Sequence, residues 1–316
     1  MAEHALYFAD EAALRRFKAK QIVLKVLLYL FLTIFALFML LPFIFMIMAS
    51  LIDAAAFERF TLYAEFDKLG FGNWTFHNYE LIFATKYQNN LGVWVSRPSF
   101  AQYFLNTLIV AIGSTTVTVV TAVLAAFAFA RLEFKGKDLL FTLLLATMMV
   151  PGEMMVITNY QTTVQLNWKF TFAALILVHG VSVFYIFYLR QTFQQIPNEL
   201  YLAAKVDGVG DVGYLFKVMI PIAMPTIMTI VILSLMGSWN SFIWPMLVAN
   251  GNHQGTNYDM KLVSNGLMSL FSSDVAKGQD AVKIAGSMVV TAPLFVFFIC
   301  FRKYIMRGVS RSGIKG

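Results

Sequence analysis

The stretch ELYLAAKVDGVGDVGYLFKVMIPIAMP, residues 199–225, decides how the rest of the chain is read. It carries charge, small residues and two glycine turns, yet strongly apolar segments flank it on both sides. Pro197 can start a helix, with Asn198 and Glu199 placing polar and acidic groups near its positive end. Leu200, Ala203, Ala204 and Asp207 then fall at helical spacing on one face. Gly208 supplies the left-handed residue that stops a helix. Gly210 and Asp211 supply a second turn and N-cap, after which DVGYLFKVM runs helically until Pro221. The spacing predicts a short helix, a glycine turn and a second short helix leading into an apolar segment.

The flanking composition fixes the environment. Hydrophobic residues make up 59% of the 316 and charged residues 13%, and the mean hydropathy is +0.69. Soluble domains are about 45–50% apolar and about a quarter charged, so the natural solvent here is a lipid bilayer. Six apolar runs reach the roughly 20 residues that cross about 30 Å of hydrocarbon: 22–51, 102–130, 139–159, 171–189, 222–248 and 283–301. Lipid offers no partner to backbone N–H and C=O groups, and these runs are too long for barrel strands, so they are expected to be helices. No small-residue cleavage site follows the first run, which reads as an anchor rather than a signal peptide. Ahead of it, residues 1–21, including DEAALRRFKAK, read as an amphipathic helix on the cytoplasmic face.

Lysine and arginine set the orientation. The segments 1–25, 131–138, 190–221 and 302–316 hold 16 of the 24 basic residues. The opposite segments hold the other 8: Arg59, Lys68, Lys86, Arg97, Lys169, Lys261, Lys277 and Lys283. The basic set is expected to be cytoplasmic. The expected fold class is therefore an all-α integral membrane protein with six transmembrane helices and both termini cytoplasmic. Its divisions are a cytoplasmic segment (1–21), a first span (22–51), an external loop (52–100), a five-helix core (101–301) and a cytoplasmic tail (302–316). The core contains the cytoplasmic loop 190–221, between spans four and five, and the external loop 250–282.

Several functions are disfavoured by what is missing. No G-x-x-x-x-G-K-[ST] phosphate loop occurs, so the chain is not expected to cradle ATP itself. The deep ionisable residues are Glu153 and His179, too few for the relay of an ion-driven carrier. Energy for uphill transport would then come from another polypeptide touching the cytoplasmic loops. Cys300 stands alone and the four histidines are scattered, so neither a disulfide nor a zinc site is expected. No soluble domain presents a basic face for nucleic acid. Glu153 and His179 belong to different spans with no nucleophile at a meaningful spacing, which argues against an intramembrane enzyme.

The details of the opening stretch carry a resemblance. Ala203-Ala204, then Gly208, then Val218-x-Ile220-Pro221 resembles the "EAA" signature of ATP-binding-cassette importer permeases. Other segments resemble the sugar-import branch, of the maltose permease second-subunit type. They are NTLIVA (106–111), LAAFAFARLEFKGKDLLF (124–141), MMVPGEMMVI (148–157), YLRQTFQQIPNELYLAAKVDG (188–208), SWNSFIWPMLVA (238–249) and RKYIMRGVSRSGIKG (302–316). The resemblance implies that the loop forms a coupling helix docking in a groove of a cytoplasmic ATPase. Glu199, Leu202, Ala203, Ala204, Asp207, Gly208 and Pro221 are its expected contact or shaping residues. The family usually has glutamate immediately before the two alanines, and this chain has Leu202, with Glu199 three residues earlier.

The resemblance also implies a substrate path. Trp239, Asn240 and Ser241 fall in the tryptophan-asparagine segment that lies toward the path in relatives, and Trp244 follows. Amide and hydroxyl groups beside aromatic faces suit neutral sugars. Pro151 and Gly152 are expected to interrupt span three, with Glu153 facing the cavity, pairing with a neighbouring helix or sitting close to the outer surface. His179 reads as a packing residue. The last external loop, with Asn250, Asn257, Tyr258 and Asp280, is the expected docking segment for a binding protein.

The implied partners are a second homologous permease, two ATPase subunits and an extracytoplasmic sugar-binding protein, in a bacterial or archaeal cell membrane. ATP and Mg²⁺ are expected in the ATPase, and no cofactor in this chain. The rivals are an importer of another solute, such as glycerol phosphate or a polyol, and a secondary carrier working alone. A phosphate-bearing substrate favours arginine in the path, and the spans have none.

Overall fold

A computed structural model of the chain describes residues 11–52, 74–88, 94–96, 99–272 and 280–310. The rest, including Arg59, Lys68, Arg97, Lys277, Arg311 and Lys315 and much of the first external loop, lies outside the described residues. The chain divides into two units, residues 1–78 with 279–288, and residues 79–278 with 289–316.

In the first unit, helix α1 (Glu11–Leu51) runs uninterrupted for 41 residues, about 60 Å at 1.5 Å per residue. The sequence reading divided it into a surface helix and a span near residue 22. In the structure one helix runs through that point, because no glycine or proline interrupts RRFKAKQIV and the first proline is Pro42. From Ile22 to Ile44 its side chains face outward on all sides, as expected of a helix bathed in lipid. Asn78 Nδ2 donates to the carbonyls of Ser50 at 2.9 Å and Ile52 at 2.5 Å, fixing the chain that returns to the end of α1.

The next elements are short: α2 (His77–Phe83), and strands β1 (Lys86–Gln88) and β2 (Trp94–Ser96). The strands form an antiparallel hairpin with Lys86 opposite Ser96, a small departure from an all-α fold.

The second unit is built on α3 (Phe100–Arg131), an unbroken 32-residue helix. After it come α4 (Lys137–Thr147), a 3₁₀ turn (Gly152–Met154) and α5 (Met155–Gln165). Then follow α6 (Phe172–Ile176) and α7 (Val183–Gln194). The short α8 (Asn198–Val206) and α9 (Asp211–Tyr214) lead through a π-turn (Leu215–Met219) into α10 (Ile220–Trp239). The last elements are α11 (Ile243–Val248), α12 (Val263–Ser272) and α13 (Asp280–Ser310), of which the residues to Met288 belong to the first unit. Helices α7 and α10 pack along α3, and α6 and α12 cover its first half.

Among the described residues, four helices are long and apolar enough to cross a bilayer, or five if α4 and α5, bent by 79°, count as one. The expected break at Pro151–Gly152 is therefore present, and it is a sharp one. Span four, expected as one helix over 171–189, is instead two helices, α6 and α7, separated at residues 177–182. The interruption is stabilised in place. Thr121 Oγ1 donates to the freed Gly180 carbonyl at 2.9 Å. A Cβ on Gly180 would lie 2.6 Å from Val117 Cγ1, so the close backbone approach needs glycine. Span five, expected over 222–248, also breaks, between Trp239 and Ile243.

Pro221 does not end a helix as the sequence suggested. The preceding π-turn opens the winding just ahead of a residue that has no N–H to donate, and the helix continues to Trp239.

Candidate functional site

The three helix breaks converge. Gly152 and Glu153 beside the first, His179 and Ser182 in the second, and Asn240 to Phe242 in the third all line one cleft of about 730 Å³. Broken helices expose backbone groups that continuous helices consume internally, and in transporters such breaks line solute sites. Behind the cleft lies a smaller cavity of about 260 Å³, lined by Ser114 and Thr118 of α3 and Ser234 and Ser238 of α10. His179, Ser182, Ser241 and Trp244 line both spaces. The His179 and Trp244 rings meet edge to face at 5.2 Å between centroids. Trp244 Nε1 donates to the Ala174 carbonyl at 3.0 Å, which fixes the indole.

Asn240, Ser241 and Glu153 thus share the cleft with Trp244. Trp239 stands apart from them. It is 3% exposed, and its Nε1 donates to the Val290 carbonyl of α13 at 3.2 Å while its ring packs on Phe104 and Phe297. One residue of offset turns the indole about 100° around the helix, onto the packing side. His179, read as packing, packs on Trp244 and also forms a wall of the cleft. The sequence reading also missed Asn159, Ser182 and the serines at 234 and 238. Ser234 and Ser238 recur at i, i+4 in the apolar α10, marking one polar face, and Ser241 follows in the break.

At one end of α3 a polar knot holds the loop after α11. Tyr103 Oη donates to Asp259 Oδ2 at 3.0 Å, and Lys261 Nζ meets the same oxygen at 3.0 Å. Asn106 Nδ2 donates to the carbonyls of Asp259 and Lys261, each at 2.9 Å. Tyr258 Oη donates to Asn106 Oδ1 at 2.5 Å, so Tyr258 holds the loop down. Gln254 Nε2 reaches the carbonyls of Asn167 and Lys169 at 2.9 Å, joining this loop to the α5–α6 turn. Asn250 and Asn257 are exposed on it. Asp280, in the other unit, is exposed and pairs with Lys283 at 2.8 Å.

At the other end of α3, α8 closes with a full Schellman motif. Gly208 has φ +74°, its N–H donates to the Lys205 carbonyl, and the Val209 N–H donates to the Ala204 carbonyl. Tyr201 Oη donates to Asp211 Oδ1 at 2.7 Å across the turn. Lys205 Nζ sits 4.6 Å from the Tyr201 ring centroid. A hydrogen bond to Tyr201 raises the lysine above its ordinary value, so it stays cationic at neutral pH.

The face predicted for α8 divides. Tyr201 and Ala204 pack inward, whereas Leu200, Ala203 and Asp207 are exposed. Tyr201 takes the inward place because its ring meets Tyr214 at 5.0 Å. Glu199, Leu202 at 55% and Val206 at 88% exposure then form an outward surface. Arg131, the last residue of α3, donates from Nη2 to the carbonyls of Phe193, at 2.9 Å, and Ile196. It thereby anchors the end of α7 just ahead of α8.

Interrupted apolar helices around a polar cleft, with a structured polar loop beyond one end, define a membrane transport component. The chain belongs to the binding-protein-dependent transport system inner membrane component family, whose model matches residues 91–311. It is 30% identical to the arabinooligosaccharides transport system permease protein AraQ of Bacillus subtilis, over 69% of this chain and 74% of that protein. A probable ABC transporter permease of Mycoplasma genitalium is 27% identical over 99% of this chain and 96% of its own length. The fold is similar to a chain in the crystal structure of a bacterial ABC transporter involved in import of the acidic polysaccharide alginate. That match has a TM-score of 0.71 and 21% identity, covering 94% of this chain and 99% of that one.

Proposed function

We propose that this chain is the membrane-spanning permease subunit of an ATP-driven, binding-protein-dependent importer of a sugar or oligosaccharide. The observation that carries the reading is the convergence of three helix breaks on one cleft, with the Schellman-closed α8 at the far end of the same α3 scaffold. The bent and interrupted segments complete six crossings, with the basic ends of α1, α3 and α7 at the cytoplasmic face.

In this reading α8 docks in a cytoplasmic ATPase through Leu202, Ala203 and Val206, while Tyr201–Asp211 and Gly208 hold it in shape. A second, homologous permease faces the cleft and completes the path, and two ATPase subunits bind ATP and Mg²⁺. The loop bearing Asn250, Asn257 and Tyr258 receives the sugar-binding protein on the outer side, and Asp280 is a further docking residue. ATP-driven closure of the ATPases rocks the helices between outward-facing and inward-facing states. This chain performs no covalent chemistry, and it works in a bacterial or archaeal cell membrane. The sugar assignment is supported by the amides, hydroxyls and indole around the cleft, and by the relative named for arabinooligosaccharide transport.

Affinity purification of the tagged chain from its native membrane tests the assembly. A second permease and a cassette ATPase are expected in stoichiometric amounts. Recovery of the chain alone, still competent for uptake without ATP, contradicts the reading.

A further inference from the structure

We propose that the cleft at the three helix breaks is a charge-selective subsite. In it Glu153 is the specificity-determining carboxylate that admits uncharged, hydroxyl-rich solutes and disfavours anions. The proposal rests on the importer reading and deepens it by naming the charge class of the solute and the residue that sets it.

Among the described residues, the side chains facing the cleft are amides, hydroxyls, aromatic rings and aliphatic groups, with one imidazole, His179, one carboxylate, Glu153, and no lysine or arginine. The smaller cavity behind it likewise has no carboxylate, lysine or arginine in its lining. Lys169 lies instead on the rings of Tyr160 and Phe170, with its Nζ 3.2 Å from the Tyr160 hydroxyl. Arg131 and Arg190 are committed to backbone carbonyls at the far end of α3.

An anion in the cleft therefore meets one negative charge and no compensating cation. A concave site with low-dielectric walls concentrates that field. An uncharged polyol loses nothing to it and finds donors and acceptors in Asn159, Asn240 and Ser241. Backbone architecture alone does not set this preference, since a similar fold occurs in a transporter that imports an acidic polysaccharide. The sign of the field comes from side chains, and here that side chain is Glu153.

The test needs no knowledge of the natural solute. Ser241→Cys is placed in a Cys300→Ser background, in the full complex in membrane vesicles. It is then reacted with a cationic and an anionic methanethiosulfonate reagent of similar size. The ratio of cationic to anionic rates is expected to fall about three- to tenfold in E153Q and to be retained in E153D. The same ratio measured at Phe134→Cys, exposed on the turn between α3 and α4, is expected to be unchanged by E153Q. An unchanged ratio at position 241 overturns the proposal, and so does a cysteine there that neither reagent reaches. Failure of the importer reading would appear as missing ATP-coupled uptake, which this ratio does not measure, so the two can fail separately.

Discussion

Tyr103 and Arg131 stand near opposite ends of α3 and tie down opposite loops. The Tyr103 hydroxyl holds Asp259, and the Arg131 guanidinium holds the carbonyls of Phe193 and Ile196. Twenty-eight residues of helix separate them, about 42 Å at 1.5 Å per residue. No proline interrupts that length. One stiff helix thus links the candidate binding-protein platform, the wall of the inner cavity and the base of the proposed coupling loop.

Replacing Arg131 with lysine keeps the charge and loses the fork that spans two carbonyls. The expected loss is about 1.5–3 kcal/mol, seen as a lower thermal midpoint and as ATP hydrolysis less tightly matched to uptake. A variant with wild-type midpoint and coupling would show that α7 needs no such anchor.

Gly208 separates strain from crowding. Nothing lies within 4 Å of where its Cβ would stand, yet its φ is +74°. Gly208→Ala should therefore cost about 1 kcal/mol, and the β-branched Gly208→Val about 2 kcal/mol or more. Gly208→Val should leave the complex assembled while uncoupling hydrolysis from transport. Normal uptake per ATP in that variant would refute the role given to the turn.

The opposite case is Gly266, where an added Cβ would fall 2.4 Å from Tyr103 Cδ2. Gly266→Ala is expected to destabilise by about 1–3 kcal/mol through overpacking. Tyr103→Phe removes only the hydrogen bond to Asp259 and should cost less, about 1–2 kcal/mol. Chemical denaturation in detergent ranks the two, and the reverse order would mean that the ring tilts freely.

Substitutions at the two tryptophans should part company. W239F loses the bond to Val290 and should lower stability by about 1 kcal/mol with the apparent KM for sugar unchanged. W244F, or Asn240→Ala in the cleft, should raise that KM several-fold. If W239F shifts KM and W244F does not, the cleft is not the path.

Much of this was legible in the sequence, for local reasons. The Pro151–Gly152 break, the glycine turn at 208 and the apolar runs each follow from a residue's own backbone or solvation preference. The interruption at 177–182 was not legible, because it depends on Thr121 and Val117, about sixty residues away. Trp239 was misplaced for a related reason: a WN pair in an apolar helix does not reveal which side of the helix faces α13. His179 sits in that same unwound segment, so its approach to Trp244 was equally hidden. The continuity of α1 past residue 22 went unread because charge changes along a helix without ending it.

ATP-coupled import is tested most directly by labelled-sugar uptake into proteoliposomes of the complete complex. ATP is enclosed inside, and sugar with its binding protein is supplied outside. Accumulation above the outside concentration is expected only with ATP and binding protein together, and Gly208→Val should abolish it while hydrolysis continues. Accumulation by this chain alone without ATP would contradict the account and make it a carrier in its own right.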